Sequence, residues 1–215
     1  KLDRDMYSAS YEKKFEDISI NLDYSRALSD SRYSGGTSNT YNYTHKLTDD
    51  VLKAETQISI IKDNYIVLGT ELSKERYERY YPMTGVTKYD FEANSNAYYI
   101  QDEIQINDFI FTIGTRLDDN EKYGEELSPN LSVVYKLTEN QRLKLSYAEG
   151  FKAPSLQEGS SEYSVYSHGQ YYGNDDLQSE TSRSYELGYE VYGQDTLFKT
   201  AIFSTQLENM ITGQY

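Results

Sequence analysis

Two stretches of the chain concentrate side chains able to do chemistry. In "SKERYERYYPMTGVTKYD", residues 73–90, Arg76 and Arg79 interleave with Tyr77, Tyr80 and Tyr81. Guanidinium groups carry fixed charge on a planar fork and phenol rings offer flat apolar surface, so the mixture suits a planar anion held by charge and aromatic contact. It equally suits an interfacial aromatic belt with screened charges, and both readings stay open at this point. The second stretch, 155–173, crowds Tyr163, Tyr166, His168, Tyr171 and Tyr172 into a polar segment without a core for them to fill. Ligand contact would give those rings a use.

Catalysis finds few parts. His45 and His168 are the only histidines and there is no cysteine, so a His-based triad, a thiolate nucleophile and a thiolate metal centre all lack components. No catalytic residue, metal ligand or covalently bound cofactor is assigned. The oxygen-rich "LDDNEKYGEE" at 117–126 has the ligand type calcium prefers, but solvated loop charge accounts for it as well. Acidic residues outnumber basic ones 35 to 21, giving a net charge of −14 and a pI near 4.6, which argues against nucleic-acid partners because phosphate binding needs basic patches.

The elements that must position these residues are strands. "DISINLDYSR" places Ile18, Ile20, Leu22 and Tyr24 on one face and Ser19, Asn21, Asp23 and Ser25 on the other. "VLKAETQISI" repeats the pattern with Leu52, Ala54, Ile58 and Ile60, and "FIFTIGTRLD" with Phe109, Phe111, Ile113 and Leu117 opposite Thr112, Gly114, Arg116 and Asp118. Counting similar runs through "RSYELGYEV" gives about ten strands. Connections alternate in length. Turns at Glu16-Asp17, 62–64, 107–108, 138–140 and 193–195 are short, whereas 27–49, 75–91, 119–127 and 153–180 read as long polar loops, the last without secondary structure of its own. Short turns at one end and long loops at the other is the plan of an antiparallel up-and-down transmembrane barrel. A soluble sandwich with one core face is the plainer alternative. In the barrel, Ile18, Leu52, Phe111, Leu145 and Leu187 face lipid, the Lys, Glu, Arg and Asp residues face a wet lumen, and Tyr7, Tyr24, Tyr65, Tyr98, Tyr147 and Tyr189 form the aromatic girdle.

Particular motifs sharpen this plan. "SPNLSVVYKLTENQRLKLSYAEGFKAPSL" followed by "GNDDLQSETSRSYELGYE" resembles the barrel of TonB-dependent outer-membrane receptors, where an F-[KR]-A-P element precedes an N-P-[DN]-L-x-P-E element. Phe151, Lys152, Ala153 and Pro154 match the first. Asn174, Asp176, Leu177 and Glu180 match the second, which lacks both prolines here. "AYYIQDEIQINDFIFTIGTRLD" (97–118) resembles the family's Y-x-Q-D-E strand, turn and G-x-R-x-D strand, and "LQEGSSEYSVYSHGQ" resembles the colicin I receptor and catecholate siderophore receptor group.

The resemblance implies an all-β chain forming about ten strands of a 22-stranded barrel, a partial barrel domain over 1–215, with the plug and TonB box expected elsewhere in the gene. It implies a bacterial outer-membrane location and uptake of a ferric siderophore, catecholate in type, with the iron chelate as cargo. The partners it implies are the TonB complex, outer-membrane lipid and bacteriocins. Arg76, Arg79, Tyr80, Tyr81, Tyr163, Tyr166, His168, Tyr171 and Tyr172 are then the candidate ligand contacts. The two motif elements fix how the loop leaves and re-enters the wall. Haem uptake through His168 is the nearest alternative, because haem receptors of this family place an iron-ligating His between the two elements. A passive structural or adhesive barrel is the third.

Overall fold

The computed structural model describes residues 1–33, 43–59, 61–166 and 170–212; Ile60, His168 and the side chain of Tyr166 lie outside the described residues. Strands run as β1 (Leu2–Lys14), β2 (Ile18–Tyr33), β3 (Tyr43–Ile58), β4 (Asn64–Tyr81), β5 (Val86–Ile106), β6 (Phe109–Asn120), β7 (Gly124–Thr138), β8 (Gln141–Lys152), β9 (Ser164–Tyr166), β10 (Gln170–Tyr172), β11 (Glu180–Tyr192) and β12 (Leu197–Glu208). Ten form one antiparallel sheet in the order β1-β2-β3-β4-β5-β6-β7-β8-β11-β12, and β9 and β10 pair as a separate small hairpin.

Register carries the apolar residues to one side. Phe111 lies opposite Val133, Val133 opposite Leu145, Leu145 opposite Leu187 and Leu187 opposite Ile202. Across the other half, Tyr24 pairs with Leu52, which pairs with Leu72, and Ile18 pairs with Ile58. Among the described residues nothing covers this face: Leu145 is 57% exposed and Ile202 76%. A continuous apolar sheet face with no protein layer against it, backed by a polar face, is a lipid-facing barrel wall rather than half of a sandwich. Of the girdle tyrosines, Tyr7, Tyr24, Tyr98, Tyr147 and Tyr189 lie on the apolar side. Tyr65 does not. It stands opposite Glu103, itself opposite Thr112, and so belongs to the lumen side.

The lumen side is held by charge. Lys53 meets Glu55 at 2.9 Å, Arg116 bridges Glu71 at 3.1 Å and Asp118 at 2.8 Å, and Lys144 meets Glu190 at 2.7 Å. Tyr99 lies over Gly69, its direct cross-strand partner, and donates to Glu55 at 2.8 Å. A Cβ at Gly69 would collide with the phenol end of that ring, so the glycine is a space requirement.

The short turns fall where turn chemistry places them, with Asp63 and Asn107 at positive φ (62° and 52°), a conformation Asp and Asn tolerate. Three of the expected long loops are corrected. The 75–91 stretch is the upper part of a β4–β5 hairpin closed by residues 82–85, with Gly85 at φ 69°; 119–127 shrinks to the turn 121–123; and 27–49 is mostly strand on either side of 34–42. The 153–180 loop also contains the β9–β10 hairpin. These strands outrun the lipid band. Above Tyr24, Leu52 and Leu72 the outward face turns charged, with Arg26 to Asp50 at 3.6 Å and Lys74 to Glu92 at 2.6 Å. Where no hydrocarbon wets either face, strands lose the alternation that marks them in sequence while keeping their ladder hydrogen bonds.

Candidate functional site

Above the lipid band, on the lumen side, neighbouring strands present aromatic residues and one arginine two apart: Tyr43 and His45 on β3, Tyr77, Arg79 and Tyr81 on β4, Tyr89 and Phe91 on β5. The period-two geometry of a strand puts each pair on one face, and the register aligns His45 with Arg79 and Tyr77 with Phe91. Tyr33 at the top of β2 stacks on Tyr43 at 5.0 Å, and Tyr43 stacks on His45 at 5.0 Å.

Arg79 is the centre. It is 3% exposed, and its guanidinium lies 5.1 Å from the ring centres of both Tyr43 and Tyr89. Its Nε donates to His45 Nε2 at 2.8 Å and its Nη2 to the Tyr163 hydroxyl at 3.2 Å. Accepting at Nε2 keeps His45 neutral, and burial followed by the Arg79 charge pushes its pKa from 6.5 down to about 4. Burial raises the Tyr77 phenol above its usual range. No carboxylate stands within ion-pairing distance of Arg79 among the described residues. The site is therefore a desolvated cation ringed by π-faces, with hydrogen-bond donors and no anion.

The 153–180 loop folds inward onto this surface. Tyr163, 8% exposed, packs with Tyr77 and Tyr89, and Leu47, Phe91 and Leu156 close around them. The Tyr89 hydroxyl donates to the Ser164 carbonyl at 2.9 Å and accepts from Ser164 N at 3.1 Å. Ser155 N and Oγ both donate to Glu158, Asp175 accepts from Ser161 N at 3.2 Å and pairs with Lys122 at 3.2 Å, and the Asn174 side chain accepts from Asp176 N at 2.9 Å. Lys152 meets Glu180 at 2.8 Å directly across the β8–β11 ladder, at the two ends of the loop. Pro154 is buried beside Ala153, Phe151 is the penultimate residue of its strand and lies opposite Thr181, and Leu177 is half-buried after the Asn174 turn. Between the loop and β4–β5 remains a cavity of about 720 Å³ that Glu75, Phe91, Tyr123 and Leu156 help to line.

The candidate contacts read from sequence divide. Arg79, Tyr81 and Tyr163 come together, Tyr81 through Tyr43 at 6.0 Å, and Tyr171 stands at the edge, 6.0 Å from Tyr163. Tyr172 is exposed. Arg76 and Tyr80 lie on the opposite face of β4, where Arg76 is held by Asp90 through two hydrogen bonds at 2.8 and 2.7 Å. The two arginines are three residues apart on a strand and cannot share a face. Tyr77, already part of the arginine–tyrosine mixture, joins Tyr33, Tyr43, His45, Tyr89 and Phe91, which were not singled out as contacts, to complete the cluster. Their signal is the aromatic spacing in "YTH", "YER" and "YDF", legible once those stretches are strands.

Fold and site together define a membrane-spanning β-barrel wall with an aromatic, cationic mouth. The chain belongs to the TonB dependent receptor-like β-barrel family, whose model matches residues 1–215. It is 28% identical over 221 residues to the ferrienterobactin receptor of Escherichia coli K12, covering 85% of this chain and 29% of that protein. It is 38% identical over 98 residues to a ferric enterobactin receptor of Pseudomonas aeruginosa, 41% of this chain and 13% of that one. The fold is that of the Pseudomonas aeruginosa ferric enterobactin receptor PfeA, solved as a mutant in complex with enterobactin: TM-score 0.82, 22% identity, 96% of this chain and 35% of that one. The siderophore receptor PirA of Acinetobacter baumannii matches with TM-score 0.81 at 19% identity over 96% of this chain and 35% of that structure. The chain thus spans about a third or less of these relatives.

Proposed function

We propose that this chain is part of the barrel wall and mouth of an outer-membrane receptor that takes up a ferric siderophore of catecholate type, with transport driven through TonB. The observation that carries the reading is Arg79: a buried guanidinium with aromatic faces on several sides and, among the described residues, no carboxylate partner. Leaving a charge desolvated and unpaired costs several kcal/mol, and a ligand that brings both rings and negative charge removes that cost. A ferric catecholate brings both, since its iron-bound oxygens carry negative charge on flat aryl groups. The names of the relatives point to the same cargo. His45 offers no iron ligand at Nε2, because that nitrogen already accepts from Arg79.

The test uses the full-length receptor, with ferric enterobactin as probe. Arg79→Ala should weaken binding by about 10–100-fold, the usual loss for a hydrogen bond to a charged group, and should abolish growth on that chelate as sole iron source at low concentration. Unchanged affinity in Arg79→Ala overturns the assignment of the mouth. Haem-dependent growth without catecholate-dependent growth overturns the assignment of the cargo.

A further inference from the structure

Tyr163 belongs to the loop, yet its phenol occupies the middle of the box that the wall builds. Its hydroxyl takes the Arg79 Nη2 hydrogen bond, the guanidinium lies 5.3 Å from its ring centre, and the rings of Tyr89 and Tyr77 stand 5.1 and 5.9 Å away. A ligand ring and the Tyr163 ring cannot both hold that position. Two features show that Tyr163 satisfies the box incompletely. The Tyr77 hydroxyl, on a residue 2% exposed, is buried with no hydrogen-bond partner among the described residues. Among the described residues the acceptors facing Arg79 are neutral, a phenol oxygen and an imidazole nitrogen, where its charge calls for an anion.

We propose that Tyr163 is a displaceable stand-in for one aryl-oxygen group of the ligand, so that the site admits a ring bearing an anionic oxygen only as the loop withdraws. The inference rests on the catecholate reading above and adds who holds the site in the ligand's absence. An incoming catecholate oxygen out-competes the phenol because hydrogen bonds to an ionised acceptor are roughly twice as strong as neutral ones, and it can also take the idle Tyr77 hydroxyl. A neutral aryl group gains no such advantage over Tyr163. The residue therefore acts as a filter for charge as well as a plug for the empty site. Withdrawal is local: around Tyr163 the segment is Ser160, Ser161, Glu162 and Ser164, which water solvates readily.

Two measurements on the full-length receptor test this. With ferric enterobactin as probe, Tyr163→Ala should bind about tenfold more tightly than wild type, because the competition that lowers the competent fraction is gone. Tyr163→Phe, which keeps the ring and loses the bond to Arg79, should show a smaller gain. Amide exchange of 159–164 should speed up when the chelate is added. Equal or weaker binding in both variants overturns the inference and leaves the receptor reading standing. So does slower exchange of that segment on chelate addition, since a lid closing over its ligand would become protected. If neither wild type nor Tyr163→Ala binds the chelate, the cargo assignment falls, and this inference with it.

Discussion

Below Tyr24, Leu52 and Leu72 the strands of this wall alternate apolar and polar residues, with the apolar side left uncovered and the polar side held by ion pairs such as Arg116 to Glu71. Higher on the same strands the alternation is between charge and aromatic rings, and the inward side buries what it presents: Tyr77 and Tyr89 are 2% and 4% exposed. Two solvents explain the two codes. In the lower band hydrocarbon covers the outward residues, so burial within the protein is unnecessary. In the mouth water lies outside, and apolar surface must find protein to cover it. A mouth that buries residues inside an open barrel end does so by folding a loop inward, which is the course of 153–180.

The contrast is open to attack at three points. The largest effect belongs to the lipid band: Leu145→Arg should destabilise the membrane-inserted receptor by about 2–4 kcal/mol, whereas Ser146→Arg, facing the lumen opposite Glu186, should be tolerated. Chemical denaturation in lipid vesicles measures both. Comparable losses in the two variants would erase the distinction between the faces.

A pH effect of middle size belongs to the mouth. The His45 pKa is about 4 in the folded protein against 6.5 ordinarily, so between those values the unfolded chain binds a proton that the folded site refuses. The contribution of the cluster should therefore be complete above pH 6.5, fall as pH drops toward 4, and level off below. His45→Gln should flatten that segment of the curve, read as amide exchange of the top of β3 and β4. A profile identical in both proteins would show that His45 is not the group responsible.

The smallest effect sharpens the same boundary from outside. Arg76 is surface-exposed and already satisfied by Asp90, and exposed pairs contribute little. Arg76→Ala should leave ferric enterobactin affinity within about twofold of wild type, in contrast to Arg79→Ala. A large loss at Arg76 would mean that the ligand also reaches the outward face of β4.

Much of the wall was legible in the sequence, because hydrocarbon imposes a strict period on Ile18, Leu52, Phe111, Leu145 and Leu187. The short turns were legible through their Asp, Asn and Gly residues. The upper strands were not, since without lipid the period carries no hydrophobic label, and 75–91 resembled a loop. That one misreading placed Arg76 and Arg79 in a single site. The rest of the cluster was out of reach for a different reason: Arg79 meets His45 across 34 residues and Tyr163 across 84, and only strand register fixes such meetings. The loop was found through its length and its tyrosines, but composition gave no sign that Tyr163 points inward while Tyr172 points out.

Sequence separation also bears on assembly. Every ladder in the wall joins strands that follow one another along the chain, apart from β8 and β11, which flank the loop. Such a sheet can grow hairpin by hairpin, each step closing a short loop at small entropic cost. The Tyr89 to Ser164 contact cannot form during that growth until β6, β7 and β8 have been laid down and 75 residues are brought back on themselves. The wall is then a zipper and the mouth its clasp: the aromatic site can close only after β8 is in place, and a chain stalled before it would have nothing to hold a ligand with.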